Sequence, residues 1–240
     1  TPTFRHEQYP EYKATRDKTP EELHNQVPLI EEILEALGVP ILRVNGYEAD
    51  DIIGTIAHHA EAEDVDVYLV TPDKDFMQLV DEHITMVKPD NKNGGFNLID
   101  REGVKEYFGV YPEKVIDVLA MIGDTSDNIP GVPGIGKKGA PKLVNKYGSL
   151  EKAIEEAPNM KAKRSREGLT NYADQALHAK KMVTIKTDVP DTHKWEELEW
   201  EGPDKKELGL FFKRMERNNP RTFQNTPKEG TNMVAVARFH

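Results

Sequence analysis

The chain has 240 residues, 37% of them hydrophobic, no cysteine and a formal net charge of −10. That size allows a buried core in one domain, or in one large and one small lobe. The lack of cysteine excludes a disulfide framework or a thiolate metal site and favours an intracellular setting, and no apolar run approaches the ~18 residues of a membrane span. An acidic total is unusual for a nucleic-acid binder, yet the basic residues gather at 13–18, 137–146, 161–166 and 180–181, so distribution matters more than the sum.

Residues 1–23 open without a strand or a capped helix. Were this piece helical, Tyr12 and Arg16 would share a face with Lys13 beside them, an arrangement suited to stacking on a base and holding a phosphate; a solvated charged helix explains the same residues. Residues 21–37 predict a helix, with Leu23, Val27, Ile30, Ile33, Leu34 and Leu37 in an apolar stripe and Gly38 at its end. Residues 40–44 predict a short buried strand. Glu48, Asp50 and Asp51 then stand at the entrance of a helix, where acids either complement the dipole or serve a ligand. Glu61, Glu63, Asp64 and Asp66 are equally dense but sit where that helix runs out, and read as solvated. Residues 65–70 predict a second strand, and Asp73 and Asp75 follow at its carboxyl end, the edge where open parallel sheets bind ligands. A third strand at 84–88, a flexible turn at 91–95 and helices at 100–107 and 112–121 complete this half.

Residues 121–139, MIGDTSDNIPGVPGIGKKG, join two chemistries. Asp124 and Asp127 are three apart, so one helical turn would put both carboxylates on one side, as a divalent cation needs. Two proline- and glycine-rich turns follow, then a predicted helix at 137–147 whose start carries Lys137, Lys138 and Lys142. A helix start with free N–H groups attracts phosphate. Two short helices joined by Gly134-Ile135-Gly136 have the pattern of a helix-hairpin-helix that grips a nucleic-acid backbone without reading bases; an ordinary helical hairpin with a basic face is the alternative. Further helices are predicted at 150–157 and 168–185, with the basic segment 161–166 between them. Residues 191–240 carry little pattern: Trp195, Trp200, Leu208, Leu210, Phe211 and Phe212 are candidates for a small cluster, and 218–230 is polar and loose.

GYEADDIIG, TPDKDF, GDTSDNIPGVPGIG and MVTIKTDVP, in that order, resemble the 5′ nuclease domain of the bacterial DNA polymerases I, in the flap endonuclease family, over residues 3–190. The resemblance implies an α/β fold with a PIN-like parallel-sheet core at 1–120 (1–20 a remnant of a helical gateway), a helix-hairpin-helix lobe at 121–190 and a tail at 191–240. It implies that Glu48, Asp50, Asp51, Asp73, Asp75, Asp124 and Asp127 line one cleft as metal-site acids, that Tyr12, Lys13 and Arg16 belong to the gateway over single-stranded DNA, and that Gly131, Val132, Gly134 and Gly136 form the hairpin, which in this family also binds K+. An all-carboxylate pool suits two Mg2+ (or Mn2+) ions and should raise some acid pKa values while empty, and Lys13 and Arg16 are then candidate clamps on the scissile phosphate.

The activity expected is that of a structure-specific 5′ nuclease, a 5′-3′ exonuclease or flap endonuclease acting on flaps and nicked duplexes in replication and repair, including removal of Okazaki primers. The protein is expected to be a monomer in the cytoplasm, at the bacterial nucleoid, with DNA as partner, no membrane, and a polymerase following in the parent protein. Pro72, Gly139 and Pro141 depart from the family pattern, and the last two cost helix stability unless they fall in a first turn. The family's two aspartate-bearing N-terminal strands have no counterpart here, which leads to the expectation of weakened stability and of flap binding without cleavage. A non-catalytic DNA-structure-binding module and a PIN-like ribonuclease are the other readings; the second leaves the hairpin unexplained.

Overall fold

The structure is a computed structural model that describes residues 2–90 and 92–218. Along the chain its helices are α1 (Phe4–Gln8), α2 (Glu21–His24), α3 (Val27–Ala36), α4 (Ala49–Glu61), α5 (Arg101–Phe108), α6 (Val115–Ile122), α7 (Ala140–Tyr147), α8 (Leu150–Glu155), α9 (Lys163–Asn171), α10 (Ala173–Val183) and α11 (Lys205–Asn218). The strands are β1 (Val67–Val70), β2 (Ile84–Pro89), β3 (Phe96–Ile99), β4 (Gly123–Asp124) and β5 (Ile129–Pro130). The described chain divides into two compact units, residues 2–16 with 44–192, and residues 17–43 with 193–218.

In the larger unit β1 and β2 run parallel with Leu69 opposite Met86, and β3 returns antiparallel with Met86 opposite Ile99. The sheet is therefore mixed, not the parallel sheet expected. Strand β3 was not expected from the sequence; it is four residues long, and its alternating Phe96 and Leu98 are 64% and 67% exposed. The predicted turn before it covers residues 92–95, while Asn91 lies outside the described residues. The strand predicted at 40–44 does not form. An apolar run becomes a strand only where a neighbour completes its ladder, and among the described residues no strand pairs with it.

Two hydrophobic clusters hold this unit. One is centred on α6, which packs against α7, α8 and α10 and buries Val118, Leu119 and Met121 against Val144, Leu150 and Ala176. The other joins Ile53 and Ala57 of α4 to Leu69, Ile84 and Ile185. Phe76 and Met77 are consecutive and wholly buried, one in each cluster, so the 3-10 turn Lys74–Gln78 is nailed to both. Each large apolar side chain buried in this way is worth ~1.5–3 kcal/mol. The helix predicted at 168–185 is interrupted at Tyr172 between α9 and α10, and the basic segment expected as a connector largely belongs to α9.

In the smaller unit the helix predicted at 21–37 is two, α2 and α3, because Pro28 lacks an N–H and its ring would collide with the carbonyl four residues back. Helix α11 packs on α3, with Leu208, Phe211, Phe212 and Met215 on the less exposed side at helical spacing. Leu208, Phe211 and Phe212 were candidates for a small cluster; their helical spacing went unrecognised. Of the cluster predicted there, Phe211 is buried, whereas Trp200 and Leu210 are largely exposed. Trp200 instead donates its indole N–H to the Leu37 carbonyl at 2.7 Å. Residues 219–230, expected to be loose, lie outside the described residues. No helix among the described residues is long and apolar enough to cross a membrane.

Candidate functional site

The Asp124–Asp127 turn is made by a close approach of backbone to backbone. Gly123 and Asp124 pair antiparallel with Pro130 and Ile129, and the two strands come so close that a Cβ on Gly131 would lie 2.1 Å from the Ile122 carbonyl oxygen and one on Gly123 2.3 Å from the Gly131 nitrogen. Only glycine fits either position. The closed loop lets Asp124 Oδ1 accept from the Ser126 N–H (2.8 Å), the Ser126 hydroxyl (2.5 Å) and the Asp127 N–H (3.3 Å). One oxygen of Asp124 is thereby committed to the turn and the other, Oδ2, is left for the site.

That second oxygen meets Lys74. The ammonium stands 2.8 Å from Asp124 Oδ2 and 3.1 Å from Asp75 Oδ1. Asp73 caps the 3-10 turn by accepting from the Asp75 N–H at 3.0 Å. Burial pushes the Asp75 carboxyl up to about 6, Lys74 pulling it down and the charges of Asp73 and Asp124 adding to the rise. For Asp124 burial acts in the same direction, but the bonds from Lys74 and Ser126 prevail and hold it below the usual range.

At the start of α4 the acids are treated differently. Asp51 is 0% exposed, and its Oδ1 accepts from Arg5 Nη2 (2.8 Å) and the Lys186 N–H (2.9 Å), while its Oδ2 accepts from Arg5 Nη1 (2.6 Å) and the Glu48 N–H (3.1 Å). A carboxylate offers about four lone-pair positions, and here all are filled. Asp51 was expected among the metal-site acids; in the structure both of its oxygens are taken up by protein donors. Glu48, which it orients, faces the site: Oε1 accepts from Lys13 and Oε2 from the Tyr12 hydroxyl at 2.9 Å, with Arg5 at 3.5 Å. Burial would raise Glu48, but Lys13 and Arg5 bring it below its ordinary value. Asp50 sits half-buried in the first turn of the same helix.

Tyr12, Lys13 and Arg16 do not form a helix; they lie in a turn where Lys13 has left-handed backbone (φ +58) and its N–H donates to the Asp127 carbonyl at 3.0 Å. Tyr12 is 3% exposed, so its ring belongs to the core and is not presented for base stacking. Its hydroxyl lies 2.9 Å from both Glu48 Oε2 and Asp127 Oδ2 and has one proton for the two acids; burial, then those two charges, raises its pKa. Arg16 binds Asp127 Oδ1, and Lys13 comes within 3.8 Å of Asp127 Oδ2. The acids thus form a chain linked by donors: Asp75 to Asp124 through Lys74, Asp124 to Asp127 through their turn, Asp127 to Glu48 through Tyr12 and Lys13, and Glu48 to Asp51 through Arg5.

Among the described residues no three acidic or histidine side chains are gathered into a ready ion cage. The donor set nevertheless fits a hard divalent cation: every donor is a carboxylate oxygen, and the half-buried carboxylates of Asp75 and Asp124 share a single partly exposed lysine. Asp73, Asp75 and Asp124, with Asp127 and Glu48 further along, are the residues that would hold such ions.

The hairpin follows directly. Val132 is buried and donates its N–H to the Met121 carbonyl at 2.8 Å, Gly131 accepts from Gln175 at 2.7 Å, and Ile135 is buried between the exposed Gly134 and Gly136. Helix α7 begins at Ala140, not at 137, so exposed Lys137 and Lys138 precede it in the turn and exposed Lys142 lies in its first turn. Gly139 is the N-cap and Pro141 the second helical residue, where neither costs the helix stability.

Sequence reasoning missed Arg5, Lys74, Gln78 and Thr55, and took MVTIKTDVP as a motif without a role. That segment is a strap. The Met182 and Thr184 carbonyls accept from Arg5 (2.9 and 2.8 Å), the Val183 carbonyl accepts from Gln78 (3.0 Å), Ile185 donates to Gln78 (2.9 Å), Lys186 donates to Asp51, and Val189 donates to Thr55 (3.1 Å). It ties the two acid-bearing segments after residues 47 and 72 to α10.

Two models of one family match in tandem, the 5′-3′ exonuclease N-terminal resolvase-like domain over residues 1–109 and the 5′-3′ exonuclease C-terminal SAM fold over residues 110–206. DNA polymerase I of Bacillus subtilis is 40% identical over 211 residues, covering 88% of this chain and 24% of that protein. DNA polymerase I of Pseudomonas aeruginosa is 43% identical over 226 residues, covering 91% of this chain and 24% of that protein. The chain spans about a quarter of the length of these curated relatives. Among solved structures, the zinc-bound T5 5′-exonuclease shares the fold with a TM-score of 0.66 at 22% identity, over 90% of this chain and 80% of that one. The catalytic core of Rad2 in complex with a DNA substrate does so with a TM-score of 0.56 at 15% identity, over 89% and 69%.

Proposed function

The chain belongs to the 5′-3′ exonuclease family, and we propose that it hydrolyses phosphodiester bonds near the 5′ ends of branched DNA, as a flap endonuclease and 5′-3′ exonuclease. The observation that carries this reading is the junction at Gly131: the residue that closes the turn of Asp124 and Asp127 also opens the hairpin with Lys137 and Lys138. A duplex held by its phosphates at that hairpin leads a strand to the acids without any base being read.

Mg2+ or Mn2+, two ions in our reading, would supply an activated water and neutralise charge on the phosphate when bound. The chain's own residues do the rest. Asp51 and Arg5 fix the direction of Glu48, and the buried Tyr12 hydroxyl keeps Glu48 and Asp127 at one separation. Lys13 and the more exposed Arg16 are released toward a phosphate once Glu48 and Asp127 take other partners, and so clamp its negative oxygens. Lys137, Lys138 and Lys142 hold the duplex, and a K+ ion at the Gly131, Val132, Gly134 and Gly136 turn would strengthen that grip. In this reading the reaction removes primers in replication and repair, beside a polymerase as in the relatives named above.

The test is a single-turnover assay of the 240-residue chain on a 5′-labelled flap, with Mg2+, with Mn2+ and with EDTA, and with single-stranded RNA of the same sequence alongside. Metal-dependent cutting at the flap junction, lost in Asp124→Asn, is the result expected of the proposed function, in place of the flap binding without cleavage expected from the sequence; flap binding with no cutting would support the non-catalytic reading instead. Cutting of the RNA with the flap left intact would overturn the assignment.

A further inference from the structure

Lys74 stands in sequence between Asp73 and Asp75 and in space between Asp75 and Asp124. Its place is set by the fold, since the residues that follow Asp75, Phe76 and Met77, are wholly buried in two different clusters. The lysine reaches the oxygen that matters. Asp124 Oδ1 already accepts from Ser126 and Asp127, so Oδ2 is the atom that a cation would take, and Lys74 Nζ is 2.8 Å from it. Asp75, the partner acid, also faces the ammonium, at 3.1 Å. The lysine side chain is 33% exposed against 21% for Asp75 and 10% for Asp124, so it enters the pair from the solvent side and can leave by the same route.

We propose that Lys74 is a built-in counter-cation. It holds Asp75 and Asp124 together when no divalent ion is present, yields its place when one binds, and through that competition sets how tightly the ion is held. The inference rests on the reading of Asp75 and Asp124 as ion ligands. It differs from a role for Lys74 on substrate phosphate, because it acts with no DNA in the tube.

The experiment uses the 240-residue chain without DNA, measuring Mn2+ binding by loss of the free-ion electron paramagnetic resonance signal and thermal melting in EDTA and in Mn2+. Lys74→Met should melt below wild type in EDTA and bind Mn2+ about tenfold more tightly, the effect expected of removing a like charge a few ångströms away at a partly exposed site. Mn2+ should therefore raise its melting temperature more than that of wild type. Lys74→Arg keeps the charge and should bind Mn2+ as wild type does. Should Lys74→Met fold only with Mn2+ added, that is the same result in stronger form; should it fold in neither condition, Lys74→Gln supplies the comparison. Unchanged or weaker Mn2+ binding by the neutral variant overturns the proposal. Asp124→Asn is the control for the underlying reading: if it binds Mn2+ as well as wild type, the acid pair is not the ion site and the role of Lys74 falls with it.

Discussion

The start of α4 and the turn after β1 both enclose carboxylates, and they answer them in opposite ways. At α4 the acid is met by fixed donors: Asp51 has a bidentate guanidinium and two backbone N–H groups, one for each lone pair. After β1, Asp75 has one partly exposed lysine, faces two further acids, and its carboxyl rises to about 6. Acid density does not separate these two regions. The number and permanence of the donors do.

The largest test of that contrast is Asp51→Ala. It leaves Arg5 buried without its partner and should cost ~3–5 kcal/mol in denaturant unfolding. Asp75→Asn, measured in EDTA, should be nearly neutral because it removes repulsion along with an ion pair. Equal losses for the two would erase the distinction between the regions.

Next comes Gly131→Ala, which drives a methyl group against the Ile122 carbonyl and should cost ~2 kcal/mol. Gly136→Ala, with open space around it, should stay within ~0.5 kcal/mol. Circular dichroism melts of the pair would show whether the acidic turn depends on this close approach.

A smaller effect, on binding, is expected for Lys137→Ala with Lys138→Ala. Affinity should fall equally for unrelated duplexes, and the salt dependence should flatten by about one unit of slope for each phosphate no longer neutralised. Weakening confined to one sequence would point to base reading.

The smallest effect lies away from the site, where Lys180 bridges Asp117 at 2.6 Å and Glu151 at 2.7 Å. Burial raises the Glu151 carboxyl, the bond from Lys180 outweighs it, and the net shift is downward. A depressed folded-state pKa stabilises above the unfolded value, and that contribution is lost as pH falls through the folded value. Glu151→Gln should remove a contribution of at most ~1 kcal/mol, seen as a shallower loss of stability below about pH 4.5 in urea titrations.

Features carried by neighbouring residues were legible in the sequence. Helix α5 has its Asp100 cap and Gly109 stop, α4 has its acidic entrance, and β1 and β2 fall where the apolar runs place them. So was the acidic turn, because its aspartates and glycines lie close together. Pro28 was a local signal passed over, and α11 was hidden by a polar background. The division of labour among the acids was not legible. Nothing near Asp51 announces Arg5, 46 residues earlier, or Lys186, 135 residues later. Asp75 and Asp51 read alike until the donors that reach them are known.

The strap has a consequence for how the protein comes into being during synthesis. Arg5 waits for the Thr184 carbonyl, 179 residues downstream, and at ~5–20 residues per second a ribosome needs roughly 10–35 s to supply it. Until then the guanidinium lacks its carbonyl partners, the entrance of α4 lacks its tie to α10, and pairings of such long range form late in any case. The acid cluster is therefore among the last features to set. A chain still tethered to its messenger has the acids of the cluster without their arrangement, and acquires that arrangement only after synthesis has passed the strap.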